Sequence, residues 1–288
     1  MVAGAAANDS RMSSSALQEI TALLGCPAAG QPDQYLFERA FAAAGLDWRF
    51  LTLDVAEDHL QAALRGAAAL RFRGCLLSGP LRGLATDVVD ELSPAAAFAC
   101  GVSMVDTRQG KLVGHMTEGR GVVEAVRRHA EPASKPVLVA GGGIAAKATA
   151  LEMALAGSGR IVVTARSPEQ AEALCDAIRG LEQAAAETLP WADPLPIPED
   201  VGVVVAAVPQ ASDPPLTFSG WRGDLVVADL ALVSQPSRLL AEARRHGACC
   251  VDGLDIRSEK NAIDFQSWTD RDADPDMLRE AIDEFLNI

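Results

Sequence analysis

Six residues near the middle of the chain constrain its fold more than any other feature. The segment consists of Gly141, Gly142, Gly143, Ile144, Ala145 and Ala146, directly after an apolar run and directly before a helical pattern. It reads G-x-G-x-x-A, in which the first glycine permits a tight turn, the second admits a pyrophosphate, and the small last residue lets helix and strand pack closely. The helix N-terminus then offers N–H groups and a positive dipole end to phosphates. The segment predicts a dinucleotide-binding turn, and a glycine-rich turn needed only for packing is the alternative.

The strand that follows this helix indicates which dinucleotide is bound. It ends in Thr164, Ala165, Arg166 and Ser167, without the Asp or Glu that would hold the ribose hydroxyls of NAD. A guanidinium can instead bind a 2′-phosphate through charge-assisted hydrogen bonds. We therefore expect NADP as the cofactor, with Arg166 and Ser167 among its ligands. Ser167 also has the spacing of a helix N-cap, a role compatible with the first.

Strands and helices alternate along most of the chain. Apolar runs predict strands at 20–24, 48–55, 74–77, 137–140, 161–164, 201–206, 225–230 and 248–251, and a hairpin over 102–113. Helical periodicity predicts helices at 35–44, 58–70, 119–129, 144–156, 168–179, 237–246, 258–268 and 275–286. This alternation is typical of an α/β protein with mostly parallel sheets.

Length, charge and composition exclude several classes of protein. A chain of 288 residues suits one large or two modest domains, and we expect two. A net charge of -14 opposes binding to nucleic acid or to a membrane surface. The six Cys and four His lack metal-ligand or disulfide-scaffold spacing, so we expect reduced thiols and no metal. Residues 1–17 are small and polar, which predicts a disordered lead-in to a cytoplasmic protein.

Several short motifs make residues 20–288 similar to the shikimate dehydrogenase family. They are GCP at 25–27, FAAAGLDW at 41–48, FRG at 72–74, DELSP at 90–94, GKLVG at 110–114, TEGRG at 117–121, VDGL at 251–254 and FQSWT at 265–269. The resemblance implies an N-terminal α/β substrate domain over 18–118 and a Rossmann-type NADP-binding domain over 119–255, with C-terminal helices over 256–288 returning to the substrate domain. In that family the reaction reduces 3-dehydroshikimate in the crevice between the domains. A small-molecule substrate and a homodimer are further expectations.

The family's functional positions fall on residues of a different kind. The resemblance places the two substrate-binding serines on Gln31 and Asp33, and the threonine of the N-V-T-x-P-x-K motif on Ser78. An asparagine falls on Met104, a tyrosine on Leu232 and a glutamine on Lys260. The resemblance also places Leu230 and Gly253 beside the cofactor.

Arg82 and Glu118 take the positions of the family's catalytic Lys and Asp. They keep the charges of that pair but alter its chemistry, because a guanidinium does not give up a proton. Arg82 could polarise a carbonyl without acting as proton donor, and Lys260 is the candidate for a replacement acid. The alternatives are an interdomain ion pair without catalysis and, for Lys260, a solvated lysine at a helix start.

The loss of polar ligands bears on the substrate. Asn and Tyr positions of the family fall on Leu76, Met104 and Leu232, which makes the crevice more apolar. Each polar group left unpaired costs about 1 to 3 kcal/mol, so we do not expect ordinary shikimate turnover. The sequence favours an NADP-dependent oxidoreductase for a less polar or differently charged carbonyl compound. An NADP-binding protein of the same fold without catalysis, and a shikimate dehydrogenase with an unusual site, are the alternatives.

Overall fold

A computed structural model of the protein describes residues 18–208 and 216–288, and within them the strands form two six-stranded sheets and one small ribbon. The expected lead-in at 1–17 lies outside the described residues. The first sheet contains β1 (Glu19–Gly25), β2 (Trp48–Asp54), β3 (Gly74–Leu77), β4 (Glu91–Leu92), β5 (Met104–Arg108) and β6 (Lys111–His115). Its spatial order is β2-β1-β3-β5-β6-β4, in which β1 is parallel to β2 and β3, while β5 is antiparallel to β3 and β6.

The helices of this N-terminal half cover the sheet and lead out of it. They are α1 (Asp33–Ala43), α2 (Leu60–Ala69), α3 (Leu81–Leu84), α4 (Pro94–Ala99) and α5 (Glu118–Arg127). The predicted hairpin over 102–113 is the β5–β6 pair. Its turn is at Gln109 and Gly110, with φ of 51° and 82°, so both residues adopt the left-handed conformation that such turns need.

The second sheet is entirely parallel. It contains β7 (Val137–Ala140), β8 (Arg160–Thr164), β9 (Ala185–Thr188), β11 (Val203–Ala206), β13 (Val226–Asp229) and β14 (Cys249–Val251), while β10 (Leu195–Pro196) and β12 (Phe218–Ser219) form the ribbon. The order β14-β13-β11-β7-β8-β9 is the doubly wound Rossmann arrangement, and its direction reverses between β7 and β11. Ligands of such sheets bind beyond the strand ends at this reversal, which is where the glycine turn lies.

The remaining helices flank the second sheet and return to the first. They are α6 (Ile144–Leu155), α7 (Pro168–Arg179), α8 (Arg238–Arg245), α9 (Gly253–Thr269) and α10 (Pro275–Leu286). Near the end of α9, Trp268 packs on Phe37 of α1 with ring centroids 5.5 Å apart, and Phe37 stacks on Phe50 of β2 at 4.7 Å. The last helices therefore complete the core of the N-terminal half. Within the described ranges, no helix has the length and apolarity that a bilayer span requires.

Candidate active site

The glycine turn after β7 has a backbone geometry and a closeness of packing that suit glycine. Gly141 has a φ of +141°, and a Cβ there would lie 2.5 Å from the carbonyl oxygen of Ala207. A Cβ on Gly142 would lie 2.7 Å from the side chain of Gln170. A Cβ on Gly143 would meet nothing within 4 Å, and this residue precedes α6 without any side-chain cap. The uncapped N–H groups of α6 therefore face an open cradle that fits a phosphate group.

Among the described residues, a row of three cavities lies along the cleft beside this turn. The outer cavity has a volume of about 670 Å³, the middle cavity about 220 Å³ and the inner cavity about 150 Å³. Leu232 and Arg257 line all three, and Arg82 and Lys260 line the middle and inner cavities. The inner cavity also touches Ala145, so the row ends at the glycine turn.

Arg82 and Glu118 form an ion pair at the inner cavity. The Nη1 atom of Arg82 contacts Oε1 of Glu118, while its Nε donates a hydrogen bond to the Leu77 carbonyl over 2.9 Å. The Arg82 side chain is 28% exposed and the Glu118 side chain 17%. The second oxygen of Glu118, Oε2, is buried without a hydrogen-bond partner. The pair thus joins the segment after β3 to the first turn of α5, with one acceptor left for a ligand.

A second ion pair lines the middle cavity. Asp33 is buried, contacts the Arg257 guanidinium and accepts a hydrogen bond from Asn261 Nδ2 over 3.2 Å. Arg257 also donates to Gln31 Oε1 over 2.9 Å. Burial alone would raise the pKa of Asp33, but the Arg257 and Lys260 cations and the hydrogen bonds hold it below its usual value. Asp33 is therefore ionised at neutral pH.

A third ion pair lies deeper, within α9. Lys260 Nζ is 2.6 Å from Asp264 Oδ2, and both residues are buried. The Thr117 hydroxyl donates to the other oxygen of Asp264 over 2.7 Å and lies 3.1 Å from Ser103 Oγ. Burial raises the pKa of Asp264, more than Lys260 and Thr117 lower it. A continuous polar chain thus runs from the start of β5 to the middle of α9.

Arg166 and Ser167 lie where the glycine turn meets β8. The Gly141 N–H donates to the Thr164 carbonyl over 2.8 Å, which holds the end of β8 beside the turn. Arg166 is exposed, and its guanidinium carbon lies 5.6 Å from the ring centroid of Trp191. Ser167 is the N-cap of α7, since its Oγ accepts a hydrogen bond from Gln170 N over 3.2 Å.

Comparisons with known proteins show which family this chain resembles in sequence. Residues 32–105 match the model of the shikimate dehydrogenase substrate binding domain. The chain is 30% identical to the shikimate dehydrogenase (NADP(+)) of Methanopyrus kandleri over 281 residues, which is 93% of this chain and 96% of that protein. The chain belongs to the shikimate dehydrogenase family. This confirms the resemblance drawn from the short motifs.

Solved structures of similar proteins share the whole fold. The 5-ketofructose reductase of Gluconobacter sp. strain CHM43 has a TM-score of 0.87 at 27% identity, over 94% of this chain and 99% of that chain. Shikimate 5-dehydrogenase from Thermus thermophilus, solved with NADP(H) and shikimate, has a TM-score of 0.79 at 26% identity, over 93% and 100%. The predicted fold is confirmed, and so, at the level of the family, is the prediction of an NADP-dependent oxidoreductase.

Most of the substrate residues expected from the family do meet in one place. The middle cavity is lined by Gln31, Asp33, Ser78, Leu232 and Lys260. Met104 lies apart from them, because it is 1% exposed and pairs with Leu76 in the sheet, in the core behind the cavity wall. A contact between Met104 and a substrate stays a prediction, since Leu76 lines the middle cavity and Met104 does not.

The expected cofactor residues divide in a similar way. Ala145, Leu230 and Gly253 line the inner cavity beside the Arg82–Glu118 pair. The Ile144 side chain instead points at the N-terminal half, since a Cβ on Gly101 would lie 2.6 Å from its Cγ2. Ile144 therefore offers only its backbone N–H to a phosphate, while its side chain packs the two halves together.

Sequence reasoning missed several residues of this site. Arg257, Asn261 and Asp264 were not predicted to take part, nor were Thr117 and Trp191. The three residues of α9 did carry a signal, because with Lys260 they are spaced i, i+3, i+4 and i+7 and so share one helical face. Across the described residues, no group of three or more His, Cys, Asp or Glu side chains is placed to hold a metal ion.

Proposed function

We propose that this chain is an NADP-dependent oxidoreductase that reduces the carbonyl group of a small molecule in the middle cavity. The observation that carries the proposal is the position of Arg82. Its side chain lines both the middle cavity and the inner cavity, and the inner cavity adjoins Ala145 at the start of α6. A substrate in the one cavity and a nicotinamide in the other would meet at this guanidinium.

The residues that would hold NADP fit its chemistry. The glycine turn and the N-terminus of α6 suit the pyrophosphate, and Arg166 suits the 2′-phosphate. When bound, NADPH supplies the hydride that reduces the carbonyl carbon.

The ionic side chains of the inner cavity would act on the carbonyl oxygen. Arg82 donates hydrogen bonds to the oxygen as negative charge develops there, and Glu118 holds the guanidinium in place. Arg82 keeps its own proton, so the proton that completes the alcohol comes from Lys260, which lines the same two cavities. Asp264, which accepts a hydrogen bond from Thr117, holds the Lys260 ammonium at the cavity wall.

A binding protein without turnover is the second candidate. The contacts of Arg82 favour it, because the guanidinium already binds both Glu118 and the Leu77 carbonyl and so has fewer N–H groups for a substrate. In an enzyme, a ligand carbonyl must compete with these contacts or use the remaining N–H groups of the guanidinium.

Two measurements on the full chain separate these candidates. NADPH titration followed by cofactor fluorescence tests binding, and the loss of NADPH absorbance with a panel of carbonyl compounds tests turnover. The first substrates to test are 3-dehydroshikimate, from the family reaction given in the sequence analysis, and 5-ketofructose, from the name of the Gluconobacter relative. Binding with turnover supports the enzyme, binding without turnover on a broad panel supports the binding protein, and absence of NADPH binding contradicts both.

The proposal extends to location and partners. The net charge of -14 supports a protein without nucleic-acid or membrane partners, and we place it in the cytoplasm. We also propose that the chain forms a homodimer. Sedimentation velocity over a range of protein concentrations tests this, and a monomer at every concentration would rule it out.

A further inference from the structure

The charged side chains of the crevice are paired one to one. The pairs are Arg82 with Glu118, Arg257 with Asp33, and Lys260 with Asp264. Among the described residues that line the middle and inner cavities, every cation belongs to one of these pairs. The middle and inner cavities thus contain three ion pairs and offer an anionic substrate no cation without a carboxylate partner, whereas Arg238 lines only the outer cavity.

A carboxylate in the middle cavity would either share a cation with a carboxylate that repels it, such as Asp33, or displace that partner. Asp33 is 2% exposed and Asp264 is fully buried, so neither can turn into solvent when its cation is taken. The displaced carboxylate would stay buried and unpaired, which is among the most costly arrangements a protein interior can hold. The ion pairs therefore oppose an anionic substrate.

The unpartnered polar atoms of the crevice point to the same class of ligand. Glu118 Oε2, at the inner cavity, and Asn261 Oδ1, on a residue lining the middle cavity, are buried without a hydrogen-bond partner. Both are acceptors and need a donor. A hydroxyl group supplies a donor, whereas a carboxylate supplies only acceptors.

We propose that the substrate is an uncharged carbonyl compound that bears hydroxyl groups and no carboxylate. Its carbonyl group rests on the proposed function, its neutrality on the ion pairs, and its hydroxyl groups on the two acceptors. The middle cavity, at about 220 Å³, has the volume of roughly seven waters, which suits a small polyol or keto sugar. Leu23, Leu76 and Leu232 provide an apolar wall for its carbon skeleton.

The sharpest test compares two probes that differ in charge and otherwise by one methyl group. Shikimate and methyl shikimate share the ring and its three hydroxyl groups, but the ester has no carboxylate. Titration calorimetry on the full chain saturated with NADP+ gives the two dissociation constants. D-fructose is a third probe, which is neutral and has a different carbon skeleton. We expect methyl shikimate or D-fructose to bind at least about tenfold more tightly than shikimate, a difference of about 1.4 kcal/mol. Shikimate binding as tightly as the better neutral probe, or no binding of either neutral probe, would overturn the proposal.

A gain of anion binding provides the second test. Asp33→Asn keeps the side-chain shape and releases Arg257 from its carboxylate, so shikimate should bind about tenfold more tightly than to the wild type. Asp264→Asn makes the same change in charge beside Lys260, which keeps the test valid if the first variant does not fold. Glu284→Gln is the matched control, because it releases Arg39 from an exposed ion pair on the outside of the protein. Unchanged shikimate affinity in both crevice variants, with both folded, would contradict the role of the ion pairs.

Failure of this inference and failure of the proposed function give different results. If NADPH does not bind, the proposed oxidoreductase is wrong, and titration of the three probes into the protein alone still decides the charge preference. If NADPH binds and shikimate is the preferred probe, the oxidoreductase stands and the neutral substrate is wrong.

Discussion

The hydroxyl of Thr117 donates a hydrogen bond to Asp264 over 2.7 Å, and this contact joins the residue before Glu118 to the helix that carries Lys260. Thr117 is held in turn by Ser103, whose Oγ accepts from the Thr117 N–H over 2.9 Å. The ion pair within α9 is therefore hydrogen-bonded to the residue that precedes Glu118 in the chain. A substitution at Thr117 should therefore affect both the Lys260–Asp264 pair and the neighbouring Arg82–Glu118 pair.

Thr117→Val tests this connection. The variant leaves one oxygen of the buried Asp264 without a donor, so we expect the free energy of unfolding to fall by about 1 to 3 kcal/mol. Urea denaturation measures the loss. Ser267→Ala is the control in α9, the helix of Asp264, because the Ser267 hydroxyl donates to the Ile263 carbonyl of its own helix. Its effect on the free energy of unfolding should stay within about 0.5 kcal/mol. Equal effects of the two variants would show that the network adds nothing.

Arg82→Ala separates catalysis from structure. If Arg82 polarises the carbonyl, turnover of a substrate found by the NADPH assay should fall by at least about 100-fold, while NADPH affinity is unchanged. Loss of the partner of Glu118 should also cost about 1 to 3 kcal/mol of stability. Arg65→Ala, which removes an exposed partner of Asp90, is the control. A folded Arg82→Ala protein with full activity would assign the pair a purely structural role.

The glycine turn offers two variants with opposite expectations. Gly143→Ala places a methyl group in open space before α6, so the melting temperature should not change. NADPH affinity should fall, because the methyl group occupies the space proposed for the phosphate. Gly141→Ala requires a side chain at φ +141° and a contact 2.5 Å from the Ala207 carbonyl oxygen, so it should lower the melting temperature itself. Fluorescence titration and thermal unfolding of both variants check this. Full NADPH affinity in Gly143→Ala would place the cofactor elsewhere.

Arg166 should decide the preference for NADPH over NADH. A charge-assisted contact to the 2′-phosphate contributes about 1.5 to 3 kcal/mol, so wild-type protein should bind NADPH at least about tenfold more tightly. Arg166→Ala should remove most of this difference, and Arg166→Lys should keep part of it. Trp191 lies against the guanidinium, and its fluorescence gives a second readout of the same titrations. Arg245→Ala, on the exposed face of α8, is the control, and equal wild-type affinities for the two cofactors would refute the prediction.

The stability of the protein should depend on pH through Asp33 and Asp264 with opposite signs. The pKa of Asp33 lies below its ordinary value of 3.8 in the folded state, so its contribution is complete above about pH 3.8 and is lost as the pH falls through the folded pKa. The pKa of Asp264 is raised, so stability falls as the pH rises through the folded pKa of this group.

Asp33→Asn should therefore remove part of the increase in unfolding free energy as the pH rises. Asp264→Asn should instead remove part of a decrease in unfolding free energy as the pH rises. Urea denaturation from about pH 3 to pH 7 measures both. Asp47→Asn is the control, because Asp47 is exposed at the edge of the first sheet. Identical pH profiles for wild type and Asp33→Asn would show that its ion pair with Arg257 does not form in solution.

Periodicity and apolar runs predicted most elements because these elements bury a regular face. The bounds of β3, β7, α7 and α10 agree with the prediction at both ends. The strand β9 was missed, since it reads Ala-Ala-Glu-Thr and buries only Ala186. Helix α9 begins at Gly253, five residues before the predicted start at Ser258. There Asp252 and Asp255 form a capping box, and a Cβ on Gly253 would lie 2.3 Å from the Ala231 carbonyl oxygen.

The site was harder to predict than the fold. The resemblance to the family's motifs singled out Arg82 and Glu118, and the structure pairs them. Arg257, the partner of Asp33, lies 224 residues further along the chain. The helical spacing of Arg257, Lys260 and Asp264 groups them on one face of α9 but does not say which residue of another element that face meets. Pairing across the cleft depends on how α9 is rotated against the first sheet, and that rotation is fixed by the aromatic core around Trp268.

Helix α9 spans the distance between the two halves of the molecule. Its first turn is wedged against the residues that follow β13, and its last turn ends in the core under the first sheet. With 17 residues it is about 25 Å long, so it acts as a stiff rod between the sheets. Because all three lie on this one helix, Arg257, Lys260 and Asn261 would keep their mutual spacing in any relative movement of the two halves.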